Sequence, residues 1–222
     1  MKGLLLKDFY TIWKAGRIFI ILYIFIAAVS GMNLQSGWSY MGFWMVMMDA
    51  QTLSTFSYDH SCNWNRFALT MPVTRKDVVQ SKFLLQLLIV FGSMLAYLVL
   101  AALVSLVLRT FEVKAFCNML LAAWLVFWVV LLMGSVSTLL LFRFPPEYVR
   151  LISILVYVIP ACVFMGAGSI FVQEIADNPA VLPAAFSAML LPAAIAIPIL
   201  SLVVSGLCYF FSCRVFQKKD LT

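Results

Sequence analysis

The chain has 222 residues, 64% of them hydrophobic and 11% charged, against roughly 45–50% and about 25% in soluble domains. That balance excludes a soluble globular protein and predicts an all-α polytopic membrane protein with no separate soluble domain. The net charge of +6 needs no nucleic-acid partner, because attraction to an anionic inner leaflet accounts for it.

In residues 1–17, Leu4, Leu5, Phe9, Ile12 and Trp13 recur at helical spacing, with Lys2, Lys7, Asp8 and Lys14 between them. This pattern predicts an amphipathic helix lying in the membrane interface, although a solvated basic start that only anchors topology shares much of it. A signal peptide would also place a basic segment before an apolar run ending in Ala27, Ala28, Ser30 and Gly31. The run is long for that purpose and the basic segment is patterned, so an uncleaved helix is expected.

A helix needs about 20 apolar residues to cross roughly 30 Å of hydrocarbon. Six stretches meet or approach that length: Ile18 to Gln35, Trp38 to Ser57, Phe83 to Leu108, Ala115 to Phe142, Leu151 to Val172, and Ala188 to Cys213. An even number of crossings puts both termini on one side, and Lys and Arg decide which. All but Arg109 and Lys114 of the 15 Lys and Arg fall on that shared side. Both termini are therefore expected in the cytoplasm of a plasma-membrane protein. Trp38, Tyr40 and Trp44 mark the outer interface, and Tyr10 and Trp13 the inner one.

Within the second span, Asp49 is an acid near a helix centre, followed by Gln51 and Thr52. Such a residue usually faces protein or water. Either Asp49 and Gln51 line a substrate path, or Asp49 is a hydrogen-bonded acid between helices.

The loop at 58–82 carries the most information. Asn63 to Thr70 fits a short helix bearing Trp64, Arg66, Phe67 and Leu69, and Pro72 breaks the chain after it. Thr74 followed by Asp77 has capping-box spacing, so a new helix is expected to start at Arg75 and run through Lys82 into the third span. The segment before it then protrudes as a knob.

In the fourth span Gly134, Ser135, Ser137 and Thr138, and in the fifth Gly166, Gly168 and Ser169, allow close helix approach. Pro160, Pro192 and Pro198 are expected to kink or break their helices. Trp124 and Trp128 either line an apolar route or pack against lipid or a second copy. Cys62, Cys117, Cys162, Cys208 and Cys213 lack paired spacing and a His partner, which leaves them as small apolar fillers.

Catalytic patterns are missing. His60 is the only histidine, no Gly-x-Ser-x-Gly turn occurs, and there is no Gly-Lys-Ser/Thr phosphate loop. No catalytic residue and no metal ligand is assigned. An intramembrane enzyme would have to rely on Asp49 or His60. If ATP drives the protein, another polypeptide binds it.

Lys7-Asp8 in the basic helix, Tyr58-Asp59, Asn65 to Leu69, Met71 to Val79 and Ser81-Lys82-Phe83 together resemble the small permeases of type-2 ABC transporters. The likeness in span order covers the whole chain, and its most specific part is Asp59 to Phe83. The resemblance implies a single permease domain with six spans that works as a dimer, of two copies or two paralogues, with two ATP-binding cassette subunits. Those subunits would hold ATP and Mg, and this chain no cofactor. It further implies a coupling helix in the 58–82 loop, with Asp59, Trp64, Arg66, Phe67, Pro72, Arg75, Lys76 and Asp77 meeting the ATPase. Beside it the interfacial helix would pack, with Lys7, Asp8 and Trp13. Residues 173–188 stand where such permeases carry an outer cap. Among them the chain is similar to exporters of amphipathic peptides of the phenol-soluble modulin kind. Related permeases confer resistance to bacteriocins and lantibiotics. A non-transporting membrane scaffold or sensor would share the architecture.

Overall fold

α1 (Lys2–Ala15) and α2 (Gly37–Ser61) precede two long helices, α3 (Arg75–Val107) and α4 (Val113–Arg143). A 3-10 turn (Pro146–Tyr148), the short α5 (Val149–Ser153) and a π-helical segment (Ile154–Val158) follow, before α6 (Leu182–Lys218). The computed structural model describes residues 2–15, 22, 24–26, 37–62, 64, 67, 74–109, 113–144, 146–160 and 182–218. Most of the expected first span, the second half of the fifth, the outer loop at 173–181, and Arg66 and Pro72 lie outside the described residues.

Among the described residues, three helical segments are long and apolar enough to cross a membrane: Arg75–Val107, Phe116–Arg143 and Ala194–Gln217. α2, with 25 residues, spans about 37 Å at 1.5 Å per residue and has the length to cross as well.

α3 begins where the sequence places it. Thr74 is extended at φ −82°, ψ 155°, and its hydroxyl accepts the Asp77 N–H while the Asp77 carboxylate accepts the Thr74 N–H at 3.0 Å. Two orphan donors of the first turn are thereby satisfied by one pair of side chains. With 33 residues the helix is roughly 50 Å long, so it outlasts the hydrocarbon by several turns. It ends at Leu108, after which Arg109 takes a left-handed φ of 55°.

α6 runs through Pro192 and Pro198, so neither proline breaks the helix. Pro198 has no N–H to give to the carbonyl of Ala194, one turn back. The indole Nε1 of Trp124, on α4, donates to that carbonyl at 3.3 Å. A neighbouring side chain thus replaces the bond that proline removes, which gives Trp124 a role in holding α4 to α6. Residues 182–188 form the first turns of α6, so the helix starts ahead of the expected span boundary at Ala188.

α4 is central, packing along α6 on one side and on α2 and α3 on the others. One core joins Trp44 and Met45 of α2, Val90 and Tyr97 of α3, and Phe127 and Val130 of α4. At the charged end a second cluster joins α1, α3, α4 and α6 through Leu4, Val79, Phe142 and Phe216. The ring centroids of Phe142 and Phe216 are 5.3 Å apart.

Candidate functional site

Four charged side chains meet at that end. Lys82, at the base of α3, places its Nζ 2.9 Å from Asp8 Oδ2 of α1 and 2.6 Å from Asp59 Oδ2 of α2. Lys7 of α1 reaches Asp8 Oδ1 at 2.9 Å and also pairs with Asp59. Two cations and two carboxylates form a closed, neutral ring that fastens three helices at one level. Lys82, Asp8 and Asp59 are 5%, 3% and 8% exposed as side chains, against 25% for Lys7. Charges this deep persist only when paired and hydrogen-bonded, and Lys82 Nζ makes a further bond to Thr55 Oγ1 at 3.0 Å.

Aromatic rings flank the ring of charges. Lys82 Nζ lies 5.0 Å from the centroid of Phe56, and Lys7 Nζ 4.5 Å from that of Trp64, within the range at which a cation is held by a ring face. Trp64 in turn packs on Phe67 with centroids 5.5 Å apart, and Phe67 is 54% exposed. A continuous set of contacts therefore leads from the exposed Phe67 through Trp64 and Lys7 to the feet of α2 and α3. Trp64 and Phe67 are the two residues of the expected short helix that the structure describes, and each is helical; the others lie outside the described residues.

Arg75 has partners inside the chain. Its Nη1 donates to the carbonyls of Phe216 and Gln217 at 3.3 and 2.7 Å, among the last carbonyls of α6, where helices lack internal donors and favour cations.

Deeper in the bundle, Asp49 of α2 is 0% exposed. Its Oδ2 accepts from the Tyr157 hydroxyl at 2.7 Å, and that hydroxyl lies 3.3 Å from Ser137 Oγ. Gln86 Nε2 donates to the Leu131 carbonyl at 3.1 Å. Gly134 sits against this group so closely that a Cβ there would fall on the Gln86 amide and the Asp49 carboxylate, 2.7 Å from Oδ1. In this arrangement Asp49 is hydrogen-bonded across to Tyr157, on another helical segment. Gln51 does not share its surface, since residues two apart on a helix face different ways. Gln51 borders an apolar groove of about 780 Å³ between α1 and α3, walled by Leu5, Phe9 and Trp13 on one side and Leu88 and Gly92 on the other.

A family model described as "ABC-2 family transporter protein" matches residues 3–217. The chain belongs to the ABC-2 family. No curated protein and no solved structure matches it. The ABC-2 permease is a transport subunit without an ATPase domain, and permeases of this kind partner ABC ATPase subunits.

Of the residues singled out in the permease sequence, Lys7, Asp8, Asp59 and Trp64 are brought together, with Phe67 adjoining. Arg75 and Asp77 stand at the start of α3, engaged with α6 and with Thr74 respectively. Trp13 belongs to the groove. Lys76 is exposed on the first turn of α3. Asp8, named with Lys7 in the interfacial helix, is only 2% exposed, because Lys82 offers it a partner. Lys82 was legible as part of the Ser81-Lys82-Phe83 motif and as a basic residue, but not as a partner of Asp8 and Asp59. The available signal was opposite charges at the ends of three apolar segments, which pair when those ends converge.

Proposed function

We propose that this permease is the membrane subunit of an ATP-driven exporter of amphipathic or antimicrobial peptides. In this reading it has six spans and cytoplasmic termini, and works as a dimer with two cassette subunits that hold ATP and Mg. The observation that carries the coupling part is the unbroken contact from exposed Phe67 through Trp64 and Lys7 to Asp59 and Lys82. A cassette pressing on Phe67 and Lys76 displaces Trp64. The neutral ring then transmits that displacement to α1, α2 and α3 together, because none of its members can leave without stranding a buried charge. The groove between α1 and α3 supports the cargo class. It is walled mainly by large apolar side chains with Gln51 and Ser93 at its edge, a surface suited to the apolar face of a helical peptide.

The test is ATP hydrolysis by the permease reconstituted in lipid with its cassette subunit, with and without an amphipathic helical peptide. Peptide-stimulated hydrolysis is expected, and Phe67→Glu is expected to abolish the stimulation while the protein still inserts. Stimulation by a lantibiotic but not by a helical peptide would transfer the assignment to an immunity permease. Failure to hold any cassette would favour a scaffold or sensor. Arg75→Glu is a poor probe of coupling, because it sets a negative charge against the carbonyl end of α6.

A further inference from the structure

The π-helical turn at Ile154–Val158 is held by a bond across five residues, from the Ile159 N–H to the Ile154 carbonyl. Such turns are rare, and they are frequent at functional sites. This one carries Tyr157, which is 6% exposed and gives its hydroxyl to Asp49 Oδ2 at 2.7 Å. Asp49 has no ion pair among the described residues, and its Oδ1 has no hydrogen-bond partner there. Tyr157 is therefore the side chain that holds this carboxylate. Ser137, whose hydroxyl lies 3.3 Å from that of Tyr157, already donates to the Gly134 carbonyl at 2.7 Å.

We propose that the Tyr157–Asp49 hydrogen bond is a latch that keeps residues 154–158 in the π form, and that the transport cycle opens it. Returning this turn to α geometry removes one residue from the turn. That change turns the helix face by about 100° and carries the Tyr157 hydroxyl away from α2. The latch lies in line with the ring of charges. α2 holds Asp59 and Asp49 ten residues apart, about 15 Å along one rigid rod, and α3 holds Lys82 and Gln86 one turn apart. A push on the ring reaches the latch without crossing a loop. Tyr157 is thus a positioning residue for the transport cycle. The inference rests on the permease assignment and is independent of the cargo.

The experiment is amide hydrogen exchange over residues 149–160 in lipid nanodiscs, first on the chain alone. A hydrogen bond to a carboxylate biases a two-state element by roughly tenfold or more. Tyr157→Phe is therefore expected to let the turn pass between π and α forms, breaking its backbone hydrogen bonds at each passage, and to speed exchange in this segment about tenfold. Residues 113–143 should exchange as in wild type, which shows that the variant folds. Asp49→Asn, which retains an acceptor oxygen, should lie nearer wild type. With the cassette bound and ATP trapped, the wild-type segment should reach the Tyr157→Phe rate, and the variant should gain nothing more. Wild-type exchange in Tyr157→Phe alone overturns the latch whether or not the coupling contact is correct. A cassette-bound, ATP-trapped wild type that exchanges no faster than the free chain overturns its opening by the cycle.

Discussion

Replacing Lys82 by Met is the most direct test of the ring of charges. The methionine keeps most of the apolar stem that packs at the foot of α3 and removes only the charge. At 2.9 Å from Asp8, and with an effective dielectric of about 20, the gross attraction is about 6 kcal/mol. Desolvation offsets most of that, and removing one partner of a buried pair typically costs about 3–5 kcal/mol. Lys82→Met leaves Asp8 and Asp59 to share Lys7 alone, so a loss of about 3 kcal/mol is expected. Lys7→Met should lose less, about 1–2 kcal/mol, because Lys7 is a quarter exposed and water screens what remains. Removing the charges as a pair, in Lys82→Met with Asp8→Leu, leaves Lys7 and Asp59 matched. The double variant should recover about 2 kcal/mol relative to the sum of the single losses. Equilibrium unfolding in mixed detergent micelles reads all of these on one scale. Additive losses, or a Lys82→Met no worse than Lys7→Met, would refute the view that the ring acts as one neutral unit.

Three further outcomes follow from local geometry. Gly134→Ala places a methyl on the Gln86 amide and the Asp49 carboxylate, so it should cost at least the roughly 1–3 kcal/mol of an overpacked core, read by the same unfolding assay. Trp124→Phe keeps the ring but strands the Ala194 carbonyl left bare by Pro198. A loss of about 1 kcal/mol is expected, and it should vanish when Pro198 is also replaced by Ala, which restores the backbone donor. Arg109→Gly relieves a left-handed residue at the end of α3 and should raise stability by about 1 kcal/mol, visible as a higher unfolding midpoint.

Local signals were legible in the sequence wherever a few adjacent residues decide the structure. Thr74 and Asp77 specify the start of α3 because a capping box closes within one turn, and the spacing of Leu4, Leu5, Phe9 and Ile12 is enough to make α1 helical. The contacts that build the site were not legible. Whether Asp8 faces water or Lys82, and whether Asp49 faces a cavity or Tyr157, depends on the depth and rotation of separate helices. Hydropathy carries neither quantity. The small residues of α4 pointed to close approach, but nothing local identifies a carboxylate as the neighbour of Gly134. Pro198 shows the same limit, since the sequence predicts a lost hydrogen bond and the structure supplies a tryptophan to replace it.

The ring also bears on how charge sets topology. Lys7 and Lys82 are among the cations from which the sequence predicts orientation, yet in the folded chain both are neutralised by Asp8 and Asp59. There is no conflict, because orientation is decided during insertion, when Lys and Arg count and acids contribute little. Pairing comes later, when the three helix feet converge. On the expected topology the same two lysines first hold their segments on one side and then fasten those segments to each other. Because the acids count for little at the first step, Asp8 and Asp59 neutralise the folded site without disturbing the orientation that brings it together. A site built this way would stay neutral if it moved as a unit, as the coupling role proposed for it requires.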